Sequence, residues 1–181
     1  MIKGYTGIFC AAFLFILILN GCKEKEIYPV IPSIEYKSAY FILGQNGKDS
    51  VLVLGISFKD GDGDIGLTQE DTFPPFNPVT DSNGKSLNPY YYNLYISYFE
   101  MNNGVFQNVV KPFTHDTIGY EFRIQNLTPD GRHKAIRGEI DVTIEASLFA
   151  GNDTTMYSFY IYDRALHKSN EVASPPIIWK N

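Results

Sequence analysis

From residue 33 to the C-terminus, apolar side chains recur at every second position, and no stretch of 11 or more residues carries a 3.6-residue period. Successive side chains on a strand point to opposite faces, so this alternation restricts the chain to β-structure with a buried face. The cleanest case is Ile140, Val142, Ile144, Ala146 and Leu148, alternating with Glu139, Asp141, Thr143, Glu145 and Ser147 as a half-buried strand does. Leu52, Leu54, Ile56 and Phe58 alternate with Val51, Val53, Gly55 and Ser57, a strand with at least one deeply buried face. Tyr157, Phe159 and Ile161 make a third strand, and Tyr92, Leu94, Ile96 and Tyr98 a fourth. Fainter patterns lie at residues 34–43, 105–110, 120–125 and 177–179. Turn-forming clusters separate them at Gly44-Gln-Asn-Gly47, Asn102-Asn-Gly104, Pro129-Asp-Gly131 and Gly151-Asn-Asp153. Seven or eight strands in about 145 residues predict an all-β fold, an antiparallel β-sandwich. Residues 72–89 hold four prolines and predict an ordered excursion over the surface.

With 181 residues, 44% of them hydrophobic, the chain can fill the core of one domain, which the strand pattern places at residues 33–181. Its 13 Tyr, 13 Phe and single Trp exclude wholesale disorder. A formal charge of −5 argues against a nucleic-acid partner, which demands a concentrated basic face. The two cysteines, Cys10 and Cys22, both lie near the N-terminus, so neither a disulfide framework nor a Cys-rich metal site is available.

Residues 1–21 read as an export signal, with Lys3 as their one charge and a 12-residue apolar run from Ile8 to Leu19. At about 1.5 Å per residue, such a helix spans about 18 Å, short of the roughly 30 Å hydrocarbon core of a bilayer. The run ends in Leu19-Asn20-Gly21-Cys22. This sequence resembles the bacterial lipobox, although Asn20 is a less common residue at its position. The resemblance implies cleavage before Cys22, diacylglyceration of its sulfur and acylation of its new amino group. Membrane association through several acyl chains is durable where a single chain is marginal. Residues 22–32 are then a lipidated tether, charged in Lys23-Glu24-Lys25-Glu26 and stiffened by Pro29 and Pro32. The charged start is similar to tags that send Gram-negative lipoproteins to the outer face of the outer membrane. The expected location is therefore the outer membrane, at the cell surface or else on its periplasmic face.

Asp60-Gly-Asp-Gly-Asp-Ile-Gly66 satisfies the dinucleotide fingerprint in its letters. Asp62 and Asp64 would set carboxylates beside a pyrophosphate, however, and no helix follows to present its N-terminus. A cation suits the stretch better. Glycines let the backbone curl so that Asp60, Asp62 and Asp64 turn toward one point, and clustered carboxylates repel without a positive charge among them. Oxygen ligands with no His or Cys nearby favour Ca²⁺. The spacing resembles the first half of an EF-hand loop, but Ile65 stands where that loop needs Gly and Asp71 where it needs a bidentate Glu. An acidic surface turn is the plain alternative.

A second stretch, Ser158-Phe-Tyr-Ile-Tyr-Asp-Arg-Ala-Leu-His-Lys-Ser-Asn170, resembles the F strand and FG loop of fibronectin-III-like and other Ig-like bacterial domains. The resemblance implies an Ig-like sandwich in which the B–C and F–G loops share one end. Asp163 has the parity of Phe159 and Ile161, so it points inward and would join Asp60, Asp62 and Asp64 around one ion, as in cadherin-like sites. Together the two acidic stretches look like those of a family of envelope lipoproteins with no assigned activity.

No catalytic residues emerge. His115, His133 and His167 are scattered over turn-like segments, and no metalloprotease, serine-hydrolase or phosphate-binding motif occurs. A non-enzymatic binding or structural role is expected, with a glycan or an envelope protein as partner. Pro89-Tyr-Tyr-Tyr-Asn-Leu-Tyr-Ile-Ser-Tyr-Phe99 and Phe73-Pro-Pro-Phe76 concentrate aromatics. These either fill the core or present rings to sugars, with Tyr90, Tyr91 and Phe76 as candidate ligand contacts.

Overall fold

The computed structural model describes residues 27–180, apart from 46, 83, 85, 112, 114, 129–133 and 146–152. Strand β1 (Ser33–Leu43) pairs with β2 (Asp49–Asp60), and β2 pairs with β6 (Ile136–Glu145) in a three-stranded sheet. The second sheet is built on β3 (Leu94–Asn102) and β7 (Thr154–Ile161), paired antiparallel from Leu94↔Ile161 to Glu100↔Thr155. Strands β4 (Val105–Asn108) and β5 (Gly119–Phe122) pair with β3, while β8 (Val172–Ala173) and β9 (Ile177–Ile178) pair with β7. Every strand pairing is antiparallel. Among the described residues there is no helix.

The period-two pattern explains how the sheets meet. Leu52, Leu54, Ile56 and Phe58 of β2 face Leu94, Ile96 and Tyr98 of β3 and Tyr157, Phe159 and Ile161 of β7 in one core, each at most 5% exposed. Val142 and Ile144 of β6 and Trp179 complete it. The all-β sandwich predicted from sequence is thus the fold. Each of the eight segments read as strands overlaps one, and the two-residue β8 is an addition. Ala146, Leu148 and three of the turn clusters lie wholly or partly outside the described residues, as do residues 1–21, Cys22 and His133.

Candidate functional site: an acidic loop tip and an aromatic face

Strand β2 ends at Asp60, opposite Ile136 of β6, and the chain turns at once into the Asp-Gly repeat. Two glycines are sterically required there. Gly63 adopts φ +73°, and a Cβ on it would collide with the Lys134 carbonyl. Gly61 donates its N–H to the Pro29 carbonyl (2.7 Å), and a Cβ there would stand 2.5 Å from the Tyr28 carbonyl oxygen. The end of the expected tether therefore lies directly against this loop.

The curl brings Asp60, Asp62 and Asp64 together, with a ligand oxygen from each lying within 4.8 Å of the others. Asp60 is fully buried and its Oδ2 accepts from the Asp64 N–H (2.9 Å). One oxygen of each residue, Oδ1 of Asp60, Asp62 and Asp64, is buried without a hydrogen-bond partner. Burial foremost, then the charges of Asp62 and Asp64, push the Asp60 carboxyl up to about 7. Asp64 is also raised, by burial and then by the charges of Asp163 and Asp62. Buried oxygens that are neither solvated nor hydrogen-bonded are costly, and a hard cation or a proton relieves that cost.

The loop after β7 meets this cluster. Arg164 N–H donates to the Asp64 carbonyl (3.2 Å) and Ala165 N–H to Asp64 Oδ2 (3.0 Å). Asp163 is buried at the same tip, 2% exposed, but it stands outside the triad. Its Oδ1 accepts from the His167 N–H (2.7 Å), and its Oδ2 lies 2.9 Å from His167 Nδ1. Asp163 therefore shapes its own loop, which also requires Leu166 at φ +68°. Arg164 grips Asp71 through both guanidinium ends (2.5 and 2.8 Å), holding that carboxyl down to about 2, and lies 5.6 Å over the Phe76 ring.

Of the three aromatics expected to contact a ligand, Phe76 is buried, with Arg164 across its ring. Tyr90 packs edge-on against Tyr162 (5.2 Å), and Tyr91 lies between Tyr92 (4.8 Å) and the Arg123 guanidinium (4.8 Å). A cavity of about 650 Å³ is lined by the aromatics Tyr92, Tyr95, Tyr120, Phe122 and Tyr160, of which Tyr95 and Tyr160 stand on the outer face of the second sheet. The sequence carried a signal for these last two, because Tyr95 and Tyr160 have the opposite parity to the core residues of β3 and β7. Comparison of the chain with protein-family models, with curated proteins and with solved structures returns no match.

Proposed function

We propose that this chain is a lipid-anchored envelope protein of non-enzymatic, binding or structural type, whose sandwich carries a Ca²⁺-stabilised loop tip. The observation that carries the tip is the set of three buried, unpartnered oxygens on Asp60, Asp62 and Asp64. Asp163 contributes as a neighbouring charge. The anchor rests on Leu19-Asn20-Gly21-Cys22, which resembles the lipobox. The strand order supports an Ig-like, fibronectin-III-like sandwich: β1-β2-β6 corresponds to an A-B-E sheet, and β4-β3-β7-β8 to C′-C-F-G. The charged tether after Cys22 supports placement on the outer membrane at the cell surface. A second reading, a carbohydrate-binding module using exposed Tyr residues, is favoured by the Tyr-lined cavity.

The tip is tested by melting full-length protein in detergent, first in EDTA and then with CaCl₂ or MgCl₂. At a hundredfold excess over Kd, Ca²⁺ stabilises by about 2.7 kcal/mol. For a chain of this size that is roughly 5–10 °C in melting temperature. Mg²⁺ gives less, because it demands a tighter octahedron and dehydrates reluctantly. Coincident curves with and without Ca²⁺ leave an acidic turn. The anchor is tested by Cys22→Ser, which should abolish incorporation of a palmitate analogue; equal labelling of both proteins refutes it.

A further inference from the structure

The outer face of the second sheet is laid out in two rows. In one row Glu121 of β5, Tyr95 of β3 and Tyr160 of β7 are direct cross-strand neighbours. In the next, Gly119, Ser97 and Ser158 occupy the same three strands. Large rings therefore stand beside a strip of very small residues, and the step between the rows forms a trough. Its volume is about 650 Å³, within the range of about 300–1,000 Å³ typical of small-molecule sites. Two other cavities measure only about 280 Å³ each.

The aromatic wall is held in place before any ligand arrives. Tyr95 and Tyr160 stack nearly parallel, with centroids 5.1 Å apart and an interplanar angle of 8°. The Tyr95 hydroxyl donates to the Pro89 carbonyl (2.7 Å), and Lys168 Nζ sits 3.7 Å from the Tyr160 ring centroid. Cross-strand stacking by itself stabilises a sheet. It does not account for the small residues Ser97 and Gly119 beneath the rings, or for Tyr92 joining from outside the strand. Lys111, Asp116, Thr117 and Glu121 bring polar groups to the same trough.

We propose that this trough binds a neutral, pyranose-containing glycan, packed against the wall of Tyr92, Tyr95 and Tyr160 and hydrogen-bonded by Ser97, Asp116 and Glu121. The proposal rests on the carbohydrate-binding reading and assigns that reading a site. A sugar ring has an apolar C–H face and a rim of hydroxyls, which matches an aromatic wall flanked by carboxylates and a serine hydroxyl. Asp116 and Glu121 balance Lys111 in the lining and Lys168 on the Tyr160 ring, so the trough carries no net charge that would draw an anionic sugar. Rigid tyrosines lose little conformational entropy on binding, and that lowers the cost of association.

The test is full-length protein in detergent against a glycan array, followed by titration calorimetry with cello-, malto-, xylo- and mannohexaose and, as the anionic comparison, hexagalacturonate. At least one neutral hexasaccharide should bind. Tyr92→Ala and Glu121→Gln should weaken it tenfold or more, and Ser97→Phe, which fills the trough, should abolish it. Tyr91→Ala, outside the trough, should change it less than twofold. Melting curves identify any variant that fails to fold, and Glu121→Gln, the mildest change, then decides. If neutral glycans bind equally well to the trough variants but not to Tyr91→Ala, the trough is wrong and the carbohydrate reading survives. Binding of hexagalacturonate alone overturns the neutral-glycan assignment. If no glycan binds, both fall.

Discussion

The side-chain amide of Asn170 meets the backbone of Ile34, 136 residues earlier, as a strand partner would: Nδ2 donates to the Ile34 carbonyl and Oδ1 accepts from the Ile34 N–H, each at 2.8 Å. Asn93 does the same to Ile124, accepting from its N–H (2.6 Å) and donating to its carbonyl (3.2 Å). Asn93 extends the β3–β5 ladder past Leu94↔Phe122, whereas Asn170 joins two segments with no ladder between them. Asn170 joins the start of β1 to the loop after β7, which also touches Asp64, so the acidic tip is braced from the first sheet.

The two asparagines differ in burial, and that difference predicts their energetics. Asn93 is 2% exposed and Ile124 8%, so Asn93→Leu strands the buried Ile124 N–H, while the Ile124 carbonyl keeps the Leu67 N–H (2.8 Å). At about 1–3 kcal/mol for one unsatisfied buried group, the loss should fall in that range. Asn170 is exposed, and water can replace its amide, so Asn170→Leu should cost about 1 kcal/mol or less. Urea unfolding at unchanged m-value measures both. Equal losses would mean that burial does not govern these contacts.

Tyr98 is a core residue despite its hydroxyl. It is 2% exposed and donates to Glu100 Oε1 (2.7 Å), itself buried, and burial raises its phenol well above the ordinary range. Tyr98→Ala should cost about 3–5 kcal/mol, the range for large aromatic-to-alanine changes in cores. Tyr92→Ala, on a half-buried ring ahead of β3, should cost no more than about 1 kcal/mol. Thermal melts of the two variants separate them, and equal shifts would place Tyr92 in the core after all.

This division of the aromatic stretch shows what alternation can and cannot reveal. Parity sorted Ile96 and Tyr98 inward and leaves Tyr95 outward, because a strand offers only two faces. The strands were legible for the same reason, and β8 was not: Val172-Ala173 has polar neighbours on both sides, whereas the equally short β9 lies in the apolar run Ile177-Ile178-Trp179. Asp163 was legible as inward-pointing, but its pairing with His167 depends on a tight loop with Leu166 in the left-handed region, which no spacing rule signals. Phe76, in a proline-rich excursion, read as exposed. Its cover is Arg164, 88 positions later, and that contact exists only in the folded chain.

In metal-free buffer the acidic tip should make the domain less stable as pH rises. Asp60 sits at about 7 in the fold against about 3.9 in an unfolded chain, so the folded state holds its proton more tightly. That contribution is full below about pH 4 and is lost as pH rises through about 7. Asp71 has the opposite sign, because Arg164 holds it down to about 2, and its contribution is lost only as pH falls below about 4. Between pH 4.5 and 8 the Asp60 effect dominates, and melting temperature should fall. Asp60→Asn should flatten the slope. Added Ca²⁺ should reverse it, since the ion binds the deprotonated carboxylates. A melting temperature that climbs with pH in metal-free buffer would contradict the clustered-carboxylate account.

Gly63 and Gly104 share a left-handed backbone, φ +73° and +81°, but not their surroundings. A Cβ on Gly104 would meet nothing within 4 Å, whereas one on Gly63 would strike the Lys134 carbonyl. The Gly63 loop cannot easily retreat, because its own carbonyl accepts from Thr128 Oγ1 (2.5 Å) and the following Asp64 N–H is held by Asp60. Gly104→Ala should therefore incur only the left-handed penalty, about 1–2 kcal/mol. Gly63→Ala should cost about 1–3 kcal/mol more, from displaced backbone. The second effect is specific to the tip: moving Gly63 moves Asp62 and Asp64, so Gly63→Ala should also lose the Ca²⁺-induced rise in melting temperature while Gly104→Ala keeps it. Melting both variants with EDTA and with CaCl₂ separates the two effects. If Gly63→Ala is destabilised but keeps the full Ca²⁺ response, the ion is not held by this loop.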